Sequence, residues 1–170
     1  MVIIFSNRKS KTEKELIKIL TNCGADLFTD NTVINTNGNF VATSVYKHIN
    51  ISSKKGIALI LDDTLKFKNQ KLPYSFLGLC EDQNITALKL LKNNHVLTIT
   101  CGNNCRNTVT ISSFSNKNVV VTIQRTITDL NGKLIYPADY NITLKDNYSS
   151  EAVMFGVIIL LMHGITPKLF

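Results

Sequence analysis

Three short, unbroken apolar runs, Val2 to Phe5, Gly56 to Leu61 and Phe76 to Cys80, constrain this chain most. A strand with one wet face alternates apolar and polar residues, whereas a strand covered on both faces does not. The runs therefore predict a largely parallel sheet flanked by helices. Thr12 to Cys23 supplies one helix, with Leu16, Ile17, Ile19, Leu20 and Cys23 on a single stripe and Gly24 as the terminating C′ residue. Asp82 to Asn94 repeats the pattern with Ile85, Leu88 and Leu91. Ala25 to Phe28 and Val96 to Cys101 add strands, and Thr32 to Ile49 reads as two short strands around Asn37-Gly38.

Beyond Gly102 the rhythm changes. Thr108 to Ser113, Val119 to Arg125, a strand around Leu134-Ile135 and Tyr140 to Leu144 are separated by short polar turns, which predicts antiparallel hairpins. A last helix, Ser150 to His163, ends at Gly164 with Pro167 beyond it. Being apolar nearly all round, it must be buried within the domain or covered by a partner, a second copy included. The expected fold class is α/β: a Rossmann-like or P-loop-like sheet flanked by helices, with a hairpin-rich antiparallel section in the C-terminal half. The 170 residues fit one such domain.

Composition narrows the function classes. A chain that is 44% hydrophobic has enough apolar area to fold, which excludes intrinsic disorder. Its longest apolar run, Val153 to Met162, is about half a membrane span, so no membrane partner is expected. Met1 to Phe5 lacks the basic lead of an export signal, and four unevenly spaced cysteines do not make a secreted disulfide scaffold; a cytoplasmic protein is expected. The net charge of +7 comes from 16 Lys and only 3 Arg, with five basic residues concentrated between Arg8 and Lys18. Nucleic-acid surfaces favour arginine for bidentate and stacking contacts, so no nucleic-acid partner is expected.

Three groups of residues could carry chemistry. The loop from Ser6 to Thr12 lies between a buried strand and a helix, where a phosphate-binding loop belongs, and Lys11-Thr12 matches the pair that holds phosphate oxygens and magnesium. Arg8, Ser10, Lys11 and Thr12 are its candidate ligands. The glycines of such loops are absent, and Ser10 to Glu13 and Thr12 to Glu15 are both capping-box patterns that explain the segment as helix initiation. Both explanations stand at this point. The pairs Asp62-Asp63 and Glu81-Asp82 follow buried strands and could hold magnesium, or could simply be solvated turns. Cys101 and Cys105 could form a redox pair or bind a metal. A structural zinc site wants a second close-spaced pair, and Cys23, Cys80, His48, His95 and His163 are scattered.

The order of a strand, Ser6-Asn-Arg-Lys-Ser-Lys-Thr12 and a helix ending in Cys23-Gly24 resembles the opening of the central, ATP-binding domain of the Mur ligases. Gly78 to Asn84 before a helix, Val96 to Gly102 before hairpins, and the closing helix to Gly164-Ile165 are similar to later family segments in the same order. The resemblance implies an ATP-binding fold from enzymes that join amino acids to peptidoglycan precursors, with ATP or another phosphate ligand and magnesium as cofactors. Only Lys11 and Thr12 match the family loop Thr-Gly-Thr-Asn-Gly-Lys-Thr fully. The Glu before Ser-Ser and the His-Asn pair of the family are also missing: Ile51 precedes Ser52-Ser53. The expectation is a non-catalytic relative with weak nucleotide or phosphate binding at Arg8, Lys11 and Thr12. The alternatives are a homo-oligomeric or partner-binding module using the apolar helix, and an enzyme using Cys101, Cys105 or the strand-end carboxylates.

Overall fold

A computed structural model describes residues 1–7, 10–29, 32–35, 37–115 and 117–170; Arg8, one of the candidate phosphate ligands, lies outside them. Among the described residues the chain forms β1 (Val2–Phe5), α1 (Lys11–Asn22), β2 (Ala25–Phe28), β3 (Val33–Ile34), β4 (Phe40–Val45) and β5 (Gly56–Ile60). A single 3₁₀ turn, Leu65–Phe67, precedes β6 (Phe76–Glu81), α2 (Ile85–Asn93), β7 (Leu97–Cys101), β8 (Val109–Phe114) and β9 (Asn118–Ile123). The small strands β10 (Ile127–Thr128) and β11 (Leu134–Ile135), then β12 (Ala138–Thr143) and α3 (Ser150–Met162), complete the chain.

The main sheet runs β12-β9-β8-β7-β6-β5-β1-β4-β2-β3. From β8 to β2 neighbouring strands are parallel, while β8-β9, β9-β12 and β2-β3 are antiparallel. The apolar runs are the central strands β1, β5 and β6, and their alternate residues feed two cores. Val2 and Ile4 face the core shared with α1 and α3, whereas Ile3 and Phe5 face the core with α2 and Phe67. The predicted α/β class with its antiparallel C-terminal section is therefore the observed one.

One expectation is corrected. The segments around Asn37-Gly38 are not a hairpin: β3 pairs antiparallel with β2, and β4 lies parallel between β1 and β2. Gly38 N–H donates to Asp26 Oδ1 and Asn39 N–H to the Gly24 carbonyl, so the turn steers the chain back beside the start of β2. The apolar helix α3 takes the first of its two expected places, within the domain, with every residue from Ala152 to Met162 buried. It crosses α1 closely at Gly156, where an added Cβ would lie 2.8 Å from Ile19 Cγ2. No helix among the described residues is long and apolar enough to cross a membrane.

The C-terminus of α3 carries a pH dependence. His163 stacks on Phe40 with ring centroids 4.2 Å apart, and its Nδ1 lies 2.8 Å from the Ile159 carbonyl. Burial pushes its pKa below the ordinary imidazole value; the Ile159 contact opposes this, and the chain's N-terminal charge reinforces it. A folded-state pKa held below the unfolded value near 6.5 stabilises the protein above that pH, and the contribution is lost as pH falls through the folded value. Thermal melts should therefore show stability declining below about pH 6.5. A His163→Phe variant, which keeps the stack, should show a shallower decline; an unchanged slope would remove His163 as the cause.

Candidate functional site at the carboxyl ends of the parallel strands

In open α/β sheets ligands bind beyond the carboxyl ends of the strands, where the strand order reverses. Here the reversal lies at β1 and β5, because the chain leaves β1 toward β2 and β4 on one side and places β5 on the other. A hollow of about 570 Å³ opens at this place, lined by Asn7, Ser10 and Thr12 from the first loop and helix, Asp63 after β5, and Glu81 at the end of β6. A second hollow of about 500 Å³ adjoins it toward β7, lined by Asp82, Cys101, Asn103 and Asn104 and by Ser150 and Glu151 at the start of α3. Glu81 and Gln83 form the wall common to both.

Local sequence explains how the first hollow is built. Ser10 is extended (φ −63°, ψ 121°) and its Oγ accepts the Glu13 N–H at 3.1 Å, an N-cap. Ser10 thus caps α1 without closing the box, since its own N–H donates to the Asn7 carbonyl, and Thr12, the alternative cap, lies inside the helix. Glu13 is buried, and its Oε1 accepts the Tyr46 hydroxyl at 2.8 Å. A carboxylate in the first turn already answers the positive end of the helix dipole, which lowers the attraction of this end for a bare anion. Lys11 does not point inward. Its side chain is 82% exposed and its ammonium lies 3.5 Å from Glu15, one turn further along α1.

The strand-end carboxylates divide by role. Asp62 is buried, and its Oδ1 accepts the Thr64 N–H at 2.9 Å, so it shapes the turn after β5. Asp63 reaches the first hollow, and Asp82 lines the second while accepting from Asn107 Nδ2 at 2.7 Å. Burial, followed by the like charges of Glu151, Asp82 and Asp63, raises the pKa of Glu81. A proton or a cation near Glu81 would relieve that crowding. Among the described residues no group of three or more His, Cys, Asp or Glu gathers to hold a metal unaided.

The two cysteines are not brought together as a disulfide. Cys101 is fully buried at the end of β7 and Cys105 is exposed in the following loop; all four cysteines are free. Burial, then the charges of Cys80, Glu81 and Asp82, pushes the Cys101 thiol well up, and a thiol kept protonated is a poor nucleophile. Sequence reasoning missed Glu151 and Glu15. Glu151 reaches the site because the start of α3 lies at the carboxyl ends of β6 and β7. Glu15 had a visible signal, the four-residue spacing from Lys11 that places both on one helix face.

No protein-family model matches the sequence, and no curated protein matches it. Among solved structures, the chain is similar to UDP-N-acetylmuramate:L-alanyl-gamma-D-glutamyl-meso-diaminopimelate ligase from Neisseria meningitides, with a TM-score of 0.56 and 10% identity. The match covers 99% of this chain and 62% of that one, so the chain spans less than two thirds of the ligase chain. That enzyme is a Mur ligase, and the shared architecture, a mostly parallel sheet between helices followed by antiparallel strands, is a Mur ligase domain fold.

Proposed function

We propose that this chain is a non-catalytic Mur-ligase-like domain of the cytoplasm that binds a nucleotide weakly, as its magnesium complex, across the strand-end cleft. The observation that carries this reading is the hollow at the β1/β5 reversal, which sets the Ser10 and Thr12 end of α1 against the carboxylates of Asp63 and Glu81. Those residues suit magnesium in one particular form. Magnesium keeps several waters and takes one or two protein carboxylates together with substrate phosphates, so a metal–nucleotide complex fits where a protein-only cage does not. Bound there, the metal would offset the phosphate charge that the carboxylates and the buried Glu13 otherwise repel. Phosphoryl transfer needs a cation on the phosphates and a positioned nucleophile besides the metal. The outward pairing of Lys11 keeps that lysine from the first of these roles, which supports binding without turnover.

Calorimetric titration of magnesium–ATP tests the reading. Wild type should bind with millimolar affinity and release no phosphate. Glu81→Gln should weaken binding at least about tenfold through loss of a metal-facing carboxylate, whereas Lys11→Ala should change it little. No heat at millimolar nucleotide, in wild type and Lys11→Ala alike, would end the idea.

A further inference from the structure

β12 is an outer strand of the ten-stranded sheet, and the chain itself covers part of its free side. After α3, Gly164 turns the backbone through the left-handed region (φ +75°) and the chain comes back along β12. Leu169 bridges Thr143 in parallel register. Thr143 N–H donates to the Lys168 carbonyl at 3.0 Å, Phe170 N–H to the Thr143 carbonyl at 2.9 Å, and Lys145 N–H to the Phe170 carbonyl. The Phe170 side chain is 1% exposed and is seated at Gly156, where an added Cβ would lie 3.3 Å from its Cε2. The ring is thus a knob, and the missing side chain of Gly156 is its hole. Among the described residues, backbone pairing with β12 stops at this end of the strand. Toward the other end Ala138 and Tyr140 share with Ile165 and Thr166 a groove of about 310 Å³, whose lining also includes the exposed side chains of Leu134 and Tyr136.

Backbone hydrogen bonds to a sheet edge, with a pocket for a side chain, are one way in which extended peptides are recognised. Here the peptide and its site belong to one chain, and three backbone bonds and one ring join them. We infer that the seat at Gly156 and the adjoining β12 edge are an exchangeable strand-docking site, filled in cis by residues 168–170 and open in trans to the same segment of a second copy. A second copy is the occupant because it carries the one segment whose fit to the seat is seen. Reciprocal exchange remakes every contact that it breaks, so its cost is confined to association and to the hinge, residues 164–167. The offsetting gain is apolar. Leu134, Tyr136 and Leu169 are exposed beside the segment, and a second copy joined there has this surface to cover. Nucleotide binding plays no part in it.

The test shortens the hinge in the full chain. Deleting Thr166 pulls Phe170 back by one residue along β12, which turns its ring to the opposite face and out of the seat in cis. A segment arriving from a second copy does not have to make that turn. Sedimentation should find wild type mainly monomeric, with a dimer growing toward millimolar protein. The deletion variant should dimerise at concentrations at least about tenfold lower, because only its dimer buries the ring. Adding Phe170→Ala to the deletion should abolish this gain. Excess synthetic peptide of residues 165–170 should return the deletion variant to monomers, and the same peptide with alanine for Phe170 should not. A deletion variant that stays monomeric, a dimer that survives Phe170→Ala, or a peptide effect indifferent to the ring would each overturn the inference. Phe170→Ala with the hinge intact provides a check that does not need the deletion to fold. It should bind the phenylalanine peptide at least about tenfold tighter than the alanine peptide, and equal binding would equally overturn the inference.

Discussion

Replacing Phe155 with alanine should lower the free energy of unfolding by about 3–5 kcal/mol, measured by urea denaturation. Phe155 is completely buried in α3, in the core that joins α1, α3 and one face of the sheet. Alanine keeps the helix, since it has the highest helix propensity of all residues. The loss is then one of packing: the ring's transfer free energy plus the cavity it leaves. The cavity cannot close easily here, because α3 is buried on all sides and already meets Ile19 of α1 at Gly156. Phe155→Leu, which retains most of the volume, should cost less. A loss below about 1.5 kcal/mol for the alanine variant would mean that α3 is not the rigid centre of the domain.

The second large effect is polar. Gln70 is 2% exposed, and its side chain closes a loop by acting as a backbone substitute. Oε1 accepts the Ile49 N–H at 3.0 Å, while Nε2 donates to the Ile49 carbonyl at 2.8 Å and to the Lys71 carbonyl at 2.7 Å. Gln70→Ala leaves these backbone groups without partners, and a buried unmatched group costs far more than a hydrogen bond gains. The expected destabilisation is about 3 kcal/mol. Gln70→Glu should not rescue it, because the carboxylate restores the acceptor and loses both donors. Chemical denaturation of the two variants checks this, and a cost near zero for Gln70→Ala would show that water replaces the lost bonds.

What could be read in the sequence was governed by how local its cause is. The central strands were legible because burial on both faces leaves an unbroken apolar run, a property of a few consecutive residues. The Ser10 cap was legible for the same reason, since cap and partner are three residues apart. The pairing of β4 was not, because an Asn-Gly turn looks alike in a hairpin and in a loop feeding a parallel strand. What decides between them is the place left open between β1 and β2. Asp63 and Glu81 could be anticipated as strand-end carboxylates. Glu151 and the Glu15–Ser149 contact could not, since the latter joins residues 134 positions apart. The apolar pattern of α3 said that it must be covered, and only the packing of α1 against it said by what.

Glu81 stands between the two hollows and faces both. A single carboxylate serving two neighbouring compartments makes their occupancies interdependent. A cation taken up on one side uses the charge that would attract a cation on the other. Linkage requires that penalty to be the same whichever side fills first. On the proposed reading, a cation held with a ligand in one hollow would weaken the hold on a second in the other, and a ligand spanning both sides would meet that shared charge only once.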